Sequence, residues 1–339
     1  DRAIKKGSSM GIDVKPGGNR PVQPVSDRFF YWLRATVLET RRLGYWWANR
    51  MLQTTHPLEQ KMALLWHGHF ATHENKVRDY RKMLQQVELF QREGLGNFRT
   101  LLIDVAQGPA MLAYLDAGVN VKGSPNENFA REVMELFTLG EGHYTEHDVR
   151  EAARAFTGWS IDPASGAFQS RSGAHDNGFK TVLGNSGNFD GDTVLNILLA
   201  RPQTAEFIVS KLWREFVSPM PDAAEVRRIA SEFRDSGYNI REALRALLMS
   251  DAFYAPSNRA VLVKSPVDLV VGTLRQFQFS VGDAPPFALV VAQLGQNLFS
   301  PPNVKGWPGG EAWITSTTLL GRKQFLERLF AAQDRRPAV

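Results

Sequence analysis

Amphipathic helical segments follow one another along almost the whole chain, and only one glycine-rich stretch interrupts them. Apolar residues recur at helical spacing from Arg28 onward, and proline or glycine punctuates the segments, as at Pro57 and Gly140. Residues 160–192 carry six glycines and break this pattern, with strand candidates at Ala167–Arg171 and Phe179–Leu183. The sequence therefore predicts a mostly α, multi-helix single domain with a small β-hairpin and loop insertion at about 160–192.

The predicted domain limits follow from the same pattern. Residues 1–27 contain Lys5-Lys6-Gly7, Gly17-Gly18 and three prolines within the first 24 positions, which indicates an N-terminal tail or arm. Helical periodicity then extends over 28–333. We expect this range to form the helical domain that carries the glycine-rich insertion.

Composition excludes several classes of function. The chain has 339 residues and no cysteine, which excludes thiol catalysis, disulfides and thiolate metal sites. No apolar run approaches the roughly 20 residues of a membrane-spanning helix, so no transmembrane segment is predicted. The net charge of +5 comes from dispersed basic residues, which predicts no nucleic-acid partner. P-loop, dinucleotide-binding and nucleophile-elbow motifs are missing, which argues against nucleotide-dependent redox and α/β-hydrolase chemistry.

The segment from Pro125 to Trp159 predicts a helix, a glycine stop and a second helix, and it is rich in polar side chains. Thr145 with Asp148 three residues later indicates a capping box at the start of the second helix. In the first helix, Glu127, Arg131 and Glu135 fall on one side. Several carboxylates on an inward face favour acid/base chemistry, with Arg131 keeping one of them ionised. A buried Glu–Arg–Glu network that only ties helices together is the alternative.

Three of the seven histidines, His67, His69 and His73, lie within one short stretch. Neutral imidazoles are common ligands of transition metals, so His67 and His69, with Glu127, are the candidate metal ligands. General acid/base catalysis or a hydrogen bond to a substrate is a second interpretation. A third is structural, with one histidine capping a helix and another packed in the core.

Two further segments offer polar and aromatic groups. His175-Asp176 forms a polar pair in the insertion, whereas Asp190 is expected to cap the next helix. The proline- and glycine-rich loop near Trp307 either presents an aromatic platform beside Lys305 or closes over the core. The full set of catalytic candidates is Glu127, Glu135, Arg131, His67, His69 and His175. The substrate-binding candidates are Trp159, Trp307, Lys305, His143, Tyr144 and Asp176.

Several motifs carry a resemblance to a known family. They are Pro57-Leu58-Glu59-Gln60-Lys61-Met62 with Trp66-His67-Gly68-His69-Phe70, Asn126-Glu127-Asn128-Phe129-Ala130-Arg131-Glu132, Glu135-Leu136-Phe137-Thr138-Leu139-Gly140, Tyr144-Thr145-Glu146, Ala155-Phe156-Thr157-Gly158-Trp159, His175-Asp176, Gly187-Asn188-Phe189-Asp190-Gly191 and Pro302-Asn303-Val304-Lys305-Gly306-Trp307-Pro308-Gly309. In this order they resemble the bacterial "domain of unknown function 1800" family. The resemblance implies a mostly helical fold and export from a bacterial cell. It implies no activity and no catalytic residue.

Three functional hypotheses follow from these observations. The first is an exported, secreted or periplasmic hydrolase that acts on a glycan or another extracellular polymer, with Glu127 and Glu135 as acid and base. The second is a metal-dependent enzyme that uses histidine and glutamate ligands. The third is a non-catalytic envelope or partner-binding module. The cofactor stays open between none and a divalent metal, and a polysaccharide or other extracellular polymer is the expected partner.

Overall fold

The computed structural model describes residues 22–279 and 285–334, and within these ranges the chain forms sixteen α-helices and two small antiparallel hairpins. The mostly α fold expected from the helical periodicity is confirmed. The helices of the first half are α1 (Val22–Gln53), α2 (Pro57–His69), α3 (Glu74–Val77), α4 (Tyr80–Glu93), α5 (Phe98–Ala106), α6 (Pro109–Tyr114), α7 (Glu127–Glu132) and α8 (Glu146–Ala155). Those of the second half are α9 (Gly191–Ala200), α10 (Pro202–Phe216), α11 (Ala223–Asp235), α12 (Ile240–Leu248), α13 (Asp251–Tyr254), α14 (Pro266–Gln276), α15 (Pro285–Gln293) and α16 (Ser316–Asp334).

Helix starts follow the capping residues in the sequence. Asn97 accepts hydrogen bonds from two backbone N–H groups at the start of α5, and Asp190 caps α9 as predicted. At the start of α8, Thr145 and Asp148 satisfy each other's backbone N–H groups, so the predicted capping box is confirmed. Pro57 occupies the first turn of α2, where its missing N–H costs nothing.

Two helix boundaries differ from the sequence-based expectation. Helix α1 begins at Val22 and includes the last six residues of the predicted tail, whereas residues 1–21 lie outside the described residues. The apolar spacing of the sequence predicts one helix over Asn75–Phe90. The structure splits this stretch into α3 and α4, because Arg78 takes the left-handed conformation with φ of 51° and Asp79 caps a new start. No described helix, not even the 32-residue α1, is long and apolar enough to cross a membrane.

The glycine-rich insertion contains two hairpins rather than the single hairpin that was expected. Strand β1 (Trp159–Ile161) pairs with β2 (Phe168–Ser170), with Trp159 opposite Ser170. Strand β3 (Lys180–Val182) pairs with β4 (Asn185–Gly187). Each strand has three residues, so the hairpins gain their stability from packing against helices and not from a sheet of their own.

The core surrounds the end of α2 with aromatic side chains. Trp66 is buried and its indole N–H donates to the Gly94 carbonyl at 2.8 Å, which satisfies its polar atom. Phe70 stacks on Phe90 and meets Phe137 edge-on, so α2 contacts both α4 and the segment after α7. The end of α2 therefore packs tightly into the core and holds α4 and the segment after α7 in place.

Candidate active site

Helix α7 changes its hydrogen-bond pattern where the candidate carboxylates lie. It continues without interruption as a π-helix over Val133–Thr138. At its end, the Leu139 N–H donates to the Met134 carbonyl five residues back, at 2.8 Å. The Thr138 hydroxyl also donates to the Val133 carbonyl, at 2.7 Å. Such π turns occur often at functional sites, which directs attention to the side chains on this one.

Glu135 lies on the π-helix and meets polar groups from two other segments. The Tyr144 hydroxyl donates to Glu135 Oε2 at 2.5 Å. Lys305 Nζ lies 3.8 Å from Glu135 Oε1 and 3.3 Å from an oxygen of Glu141. Burial and the hydrogen bond to Glu135 raise the pKa of Tyr144, so the phenol keeps its proton and remains a donor. The Glu135 side chain is 19% exposed, so the carboxylate is held by partners and still reaches solvent.

Glu132 precedes Glu135 by three residues, and its surroundings disfavour the charged carboxylate. Burial raises the pKa of Glu132, and the charge of Glu135 raises it further, while Lys305 and Arg131 act in the other direction. The protonated form of Glu132 is therefore favoured more than in an exposed glutamate, whereas Glu135 has contacts that suit a carboxylate. Two neighbouring carboxyl groups with different environments are what an acid and a base need. We refer to these residues as the Glu132–Glu135 pair.

The loop 299–310 reaches this pair through a close contact between two glycines. Gly306 has a φ of +81°, and a Cβ atom there would overlap the carbonyl oxygen of Gly68 in the last turn of α2. Nearby, the Phe299 N–H donates to His67 Nε2 at 3.2 Å. The end of α2 thus fixes the loop at two points, and Lys305 between them is directed toward Glu135.

His67 anchors this loop and does not reach solvent. Its side chain is 0% exposed and lies among aromatic rings, which are those of Trp47, Phe90, Phe299 and Trp307. Burial lowers the pKa of His67 to about 3, so the ring is neutral. Because Nε2 accepts the Phe299 N–H, the ring proton lies on Nδ1. The structure thus gives His67 a packing and positioning role, in contrast to the catalytic role expected from the sequence.

His69, on another side of α2, is also buried and has a lowered pKa. Its Nε2 donates to the Phe137 carbonyl of the π-helix at 3.2 Å, and its side chain is buried. Burial lowers the pKa of His69, and the positive charge of Lys211 lowers it further. Throughout residues 22–279 and 285–334, no three His, Asp or Glu side chains lie close enough together to hold a metal ion. The structure does not bring His67, His69 and Glu127 together as ligands.

Glu127 and Arg131 form an ion-pair network next to the Glu132–Glu135 pair, and the Arg131 charge acts on Glu132 and Tyr144. The Arg131 guanidinium binds both carboxylate oxygens of Glu146, at 2.6 and 2.7 Å, and one oxygen of Glu127 at 3.1 Å. These bonds, led by that to Glu146, raise the pKa of Arg131. The network joins α7 to the start of α8, which agrees with the alternative of a Glu–Arg–Glu network that ties helices together.

His175 and Asp176 attach the glycine-rich insertion to α8. The His175 Nδ1–H donates to the Thr157 carbonyl at 3.0 Å. Asp176 accepts a hydrogen bond from Arg154 Nε at 2.8 Å, and this partner lowers the pKa of Asp176 to about 2. The buried Lys180 donates to the Asp176 and Gly178 carbonyls, which completes the attachment. The pair therefore stabilises the insertion rather than facing a substrate.

The two tryptophans expected to bind substrate differ in solvent exposure. Trp159 is 4% exposed and packs against Phe129, Phe156 and Phe168, so no ring face is free for stacking. Trp307 is partly exposed, and its ring meets the His67 ring edge-on. His143 is exposed in the turn between the π-helix and α8. Of the aromatic candidates, Trp307 and Tyr144 thus retain contact with the surface near the loop.

Of the predicted site residues, the structure brings together Glu135, Tyr144 and Lys305. Trp307 lies in the same loop as Lys305 and packs against His67. The remaining candidates lie elsewhere, next to the pair or buried, and these are Glu127, Arg131, His67, His69, His175, Asp176, Trp159 and His143. Glu132 and Glu141 belong to the site but were not among the candidates. The three-residue spacing of Glu132 and Glu135 was the available signal, because residues three apart on a helix are neighbours.

No curated protein and no solved structure matches the chain. A family model does match, over residues 30–338, which is nearly the whole sequence and includes every residue of the site. The chain therefore belongs to the family described as Protein of unknown function (DUF1800).

Proposed function

We propose that this protein is an exported bacterial hydrolase that cleaves a glycan or another extracellular polymer with the Glu132–Glu135 pair. The observation that carries the proposal is the unequal environment of the two carboxyl groups. Burial and a like charge favour the protonated form of Glu132, while Tyr144 and Lys305 contact the Glu135 carboxylate. This arrangement corresponds to a general acid next to a general base.

In the proposed reaction, Glu132 donates its proton to the leaving oxygen as the bond breaks. Glu135 accepts a proton from the attacking water and so increases its nucleophilicity. Tyr144 holds the Glu135 side chain in position through its 2.5 Å hydrogen bond. Lys305, with a side chain 63% exposed, contributes positive charge next to both Glu135 and Glu141 at the surface. Water is the second substrate, and the site as proposed uses no cofactor.

The proposed location and substrate class follow from the family resemblance and from the chemistry of the pair. Export is implied by the family resemblance, and a chain without cysteine is compatible with either side of a bacterial membrane. Glycosidic bonds are cleaved in most glycoside hydrolases by two carboxyl groups, which is the chemistry that the Glu132–Glu135 pair offers. The partly exposed Trp307 lies in the same loop as Lys305 and supplies an aromatic surface for a sugar ring.

The proposal is tested by measuring release of reducing ends from a panel of polysaccharides by the purified protein. Glu132→Gln and Glu135→Gln are each expected to lower turnover by on the order of 100-fold or more, as for loss of a general acid or base. Glu127→Gln is the matched control, because it changes a glutamate of the same helix that binds Arg131 instead. Folded Glu132→Gln and Glu135→Gln variants with wild-type turnover would exclude the proposed chemistry.

One observation favours the non-catalytic alternative. Arg131 joins Glu127 to Glu146, and internal pairing of this kind is what a partner-binding module would show. Binding without catalysis would be supported by two results together. The wild-type protein would turn over no polymer, and the Glu132→Gln and Glu135→Gln variants would lose the retention on a polysaccharide column that the wild type shows.

A further inference from the structure

A cleft outside the Glu132–Glu135 pair lies where the glycine-rich insertion meets helices of the first half. It is lined by α4, by the stretch 104–110 in which α5 passes into α6, and by residues 165–168 at the turn between β1 and β2. Its volume of about 470 Å³ lies within the range of small-molecule binding sites. We refer to it as the hairpin cleft. The lining side chains that can contact a ligand are Gln85, Gln86, Glu88, Asp104, Gln107 and Phe168.

The insertion gives the hairpin cleft an aromatic side chain in a fixed position. Phe168 pairs with Ile161 between β1 and β2, and its ring meets the buried Trp159 ring edge-on, with 5.2 Å between centroids. The turn before it is held by Asp162, which accepts hydrogen bonds from the backbone N–H and the hydroxyl of Ser165, at 3.1 and 2.6 Å. Phe168 remains partly exposed, so its ring offers the cleft an apolar surface.

Gln86 contributes a buried donor that has no partner. The residue is 6% exposed, and its Oε1 accepts the Thr72 hydroxyl at 2.5 Å. Its Nε2 is buried, and no residue in the described part of the chain accepts a hydrogen bond from it. Such a donor is rare in folded proteins, because it loses its bonds to water without gaining others. Since Gln86 lines the cleft, an oxygen of a bound ligand can supply the missing acceptor.

The charges around the hairpin cleft favour an uncharged ligand. Both lining cations, Lys82 and Arg92, already have an acidic neighbour, at 3.9 and 2.9 Å. The lining acids are Glu88 and Asp104, and neither accepts a hydrogen bond within residues 22–279 and 285–334. Two cations and two acids give the cleft no strong field of either sign. Its free carboxyl and amide groups are suited to bind hydroxyl groups instead.

We propose that the hairpin cleft binds an uncharged oligosaccharide. Phe168 packs against the apolar face of one sugar ring. The amides of Gln85 and Gln86 and the carboxyl group of Asp104 bind hydroxyl groups of the sugar. This site is independent of the proposed catalysis, because it uses neither glutamate of the pair and holds a glycan whether or not the pair cleaves it.

The test is isothermal titration calorimetry of the purified protein with three neutral hexasaccharides, cellohexaose, xylohexaose and N-acetylchitohexaose. Binding of at least one of them is expected. Phe168→Ala removes the aromatic surface and is expected to weaken this binding about tenfold. Gln86→Met keeps the length of the side chain but removes its donor, and a loss of affinity of about tenfold is expected. Phe179→Ala is the matched control, because Phe179 lies in the same insertion, is 72% exposed and does not line the cleft.

Two further variants complete the experiment. Gln85→Ala changes an exposed side chain, so it tests the cleft without disturbing the core, and it is expected to weaken binding about threefold. Glu135→Gln is expected to keep wild-type affinity, which separates this site from the proposed catalysis.

Three results would overturn the inference. The first is that none of the hexasaccharides binds the wild-type protein at millimolar concentration. The second is binding that folded Phe168→Ala, Gln86→Met and Gln85→Ala variants all retain at wild-type strength. The third is binding that Glu135→Gln abolishes, since the ligand would then occupy the proposed active site instead of the hairpin cleft.

Discussion

His67 and Glu132 respond to burial in opposite directions, because burial disfavours whichever form of a group carries charge. For His67 the charged form is the protonated one, so burial lowers the pKa and the neutral ring accepts the Phe299 N–H. For Glu132 the charged form is the carboxylate, so burial raises the pKa and favours a proton donor. Burial thus keeps His67 on α2 uncharged and favours the protonated form of Glu132 on α7.

The first prediction concerns the contribution of His67 to stability at different pH values. The unfolded chain binds a proton at this histidine below about 6.5, whereas the folded protein binds one only below about 3. Stability is therefore lost as pH falls through this window. Between pH 8 and pH 5, His67 is expected to contribute a loss of about 2 kcal/mol that the His67→Gln variant does not show.

Urea unfolding of both proteins at pH 8 and pH 5 provides the measurement. The difference between the two pH values is compared within each protein, so any general destabilisation of the variant at pH 8 cancels. Equal losses in the wild type and the variant would mean that the folded protein protonates His67 as readily as the unfolded chain does.

At the scale of elements, the site depends on how the loop 299–310 docks onto α2. The contact of Gly306 with Gly68 leaves no room for a side chain, and the φ of +81° at Gly306 also favours glycine. On the other side, the buried His69 holds the π-helix through the Phe137 carbonyl. Helix α2 therefore fixes both the segment that carries Glu135 and the loop that carries Lys305.

Substituting the docking glycine tests this role of α2. Gly306→Ala is expected to destabilise the protein by about 2 kcal/mol more than Gly184→Ala, because overlap with packed atoms typically costs 1–3 kcal/mol. Gly184, between β3 and β4, is the control, since its φ of +80° is close to that of Gly306 while an added Cβ meets nothing within 4 Å. Denaturant unfolding of the two variants measures the difference. Equal stabilities would show that the loop does not dock through this contact.

At the scale of the whole molecule, the site is assembled from segments far apart in the chain. Lys305 and Glu141 contact each other although they are 164 residues apart in sequence. Glu135 and Tyr144 come from the π-helix and the turn that follows it. A fold built of sixteen described helices therefore positions a small number of polar side chains at the end of one of them.

The helices and their caps could be predicted from the sequence because the signals are local. Thr145 with Asp148 marks the start of α8, and Asp190 marks that of α9. The break after α3 was missed, since Arg78 adopts a left-handed conformation that is rare for residues other than glycine. The π-helix was missed as well, because it differs from an α-helix only in its hydrogen-bond partners.

The site itself was predicted only in part. Glu135, Tyr144 and Lys305 were candidates, but their mutual contact depends on loop docking, which no local pattern encodes. The histidines kept three interpretations open, because metal-ligand spacing and core packing look alike in one sequence. His67 and His69 are buried among aromatic rings that come from several distant segments. Their lack of contact with solvent therefore could not be predicted from a local sequence pattern.

The central claim is that Glu132, beside the Glu135 carboxylate, binds a proton more tightly than an ordinary glutamate does, and the direct measurement is a titration of Glu132 by carbon NMR of its carboxyl group. We predict a pKa above the ordinary value of 4.5 in the wild type, because of burial and the charge of Glu135. Glu135→Gln removes that charge and is expected to lower the pKa of Glu132, whereas Glu127→Gln leaves it unchanged. A Glu132 that titrates at or below 4.5 in the wild type, or that does not respond to Glu135→Gln, would contradict the account.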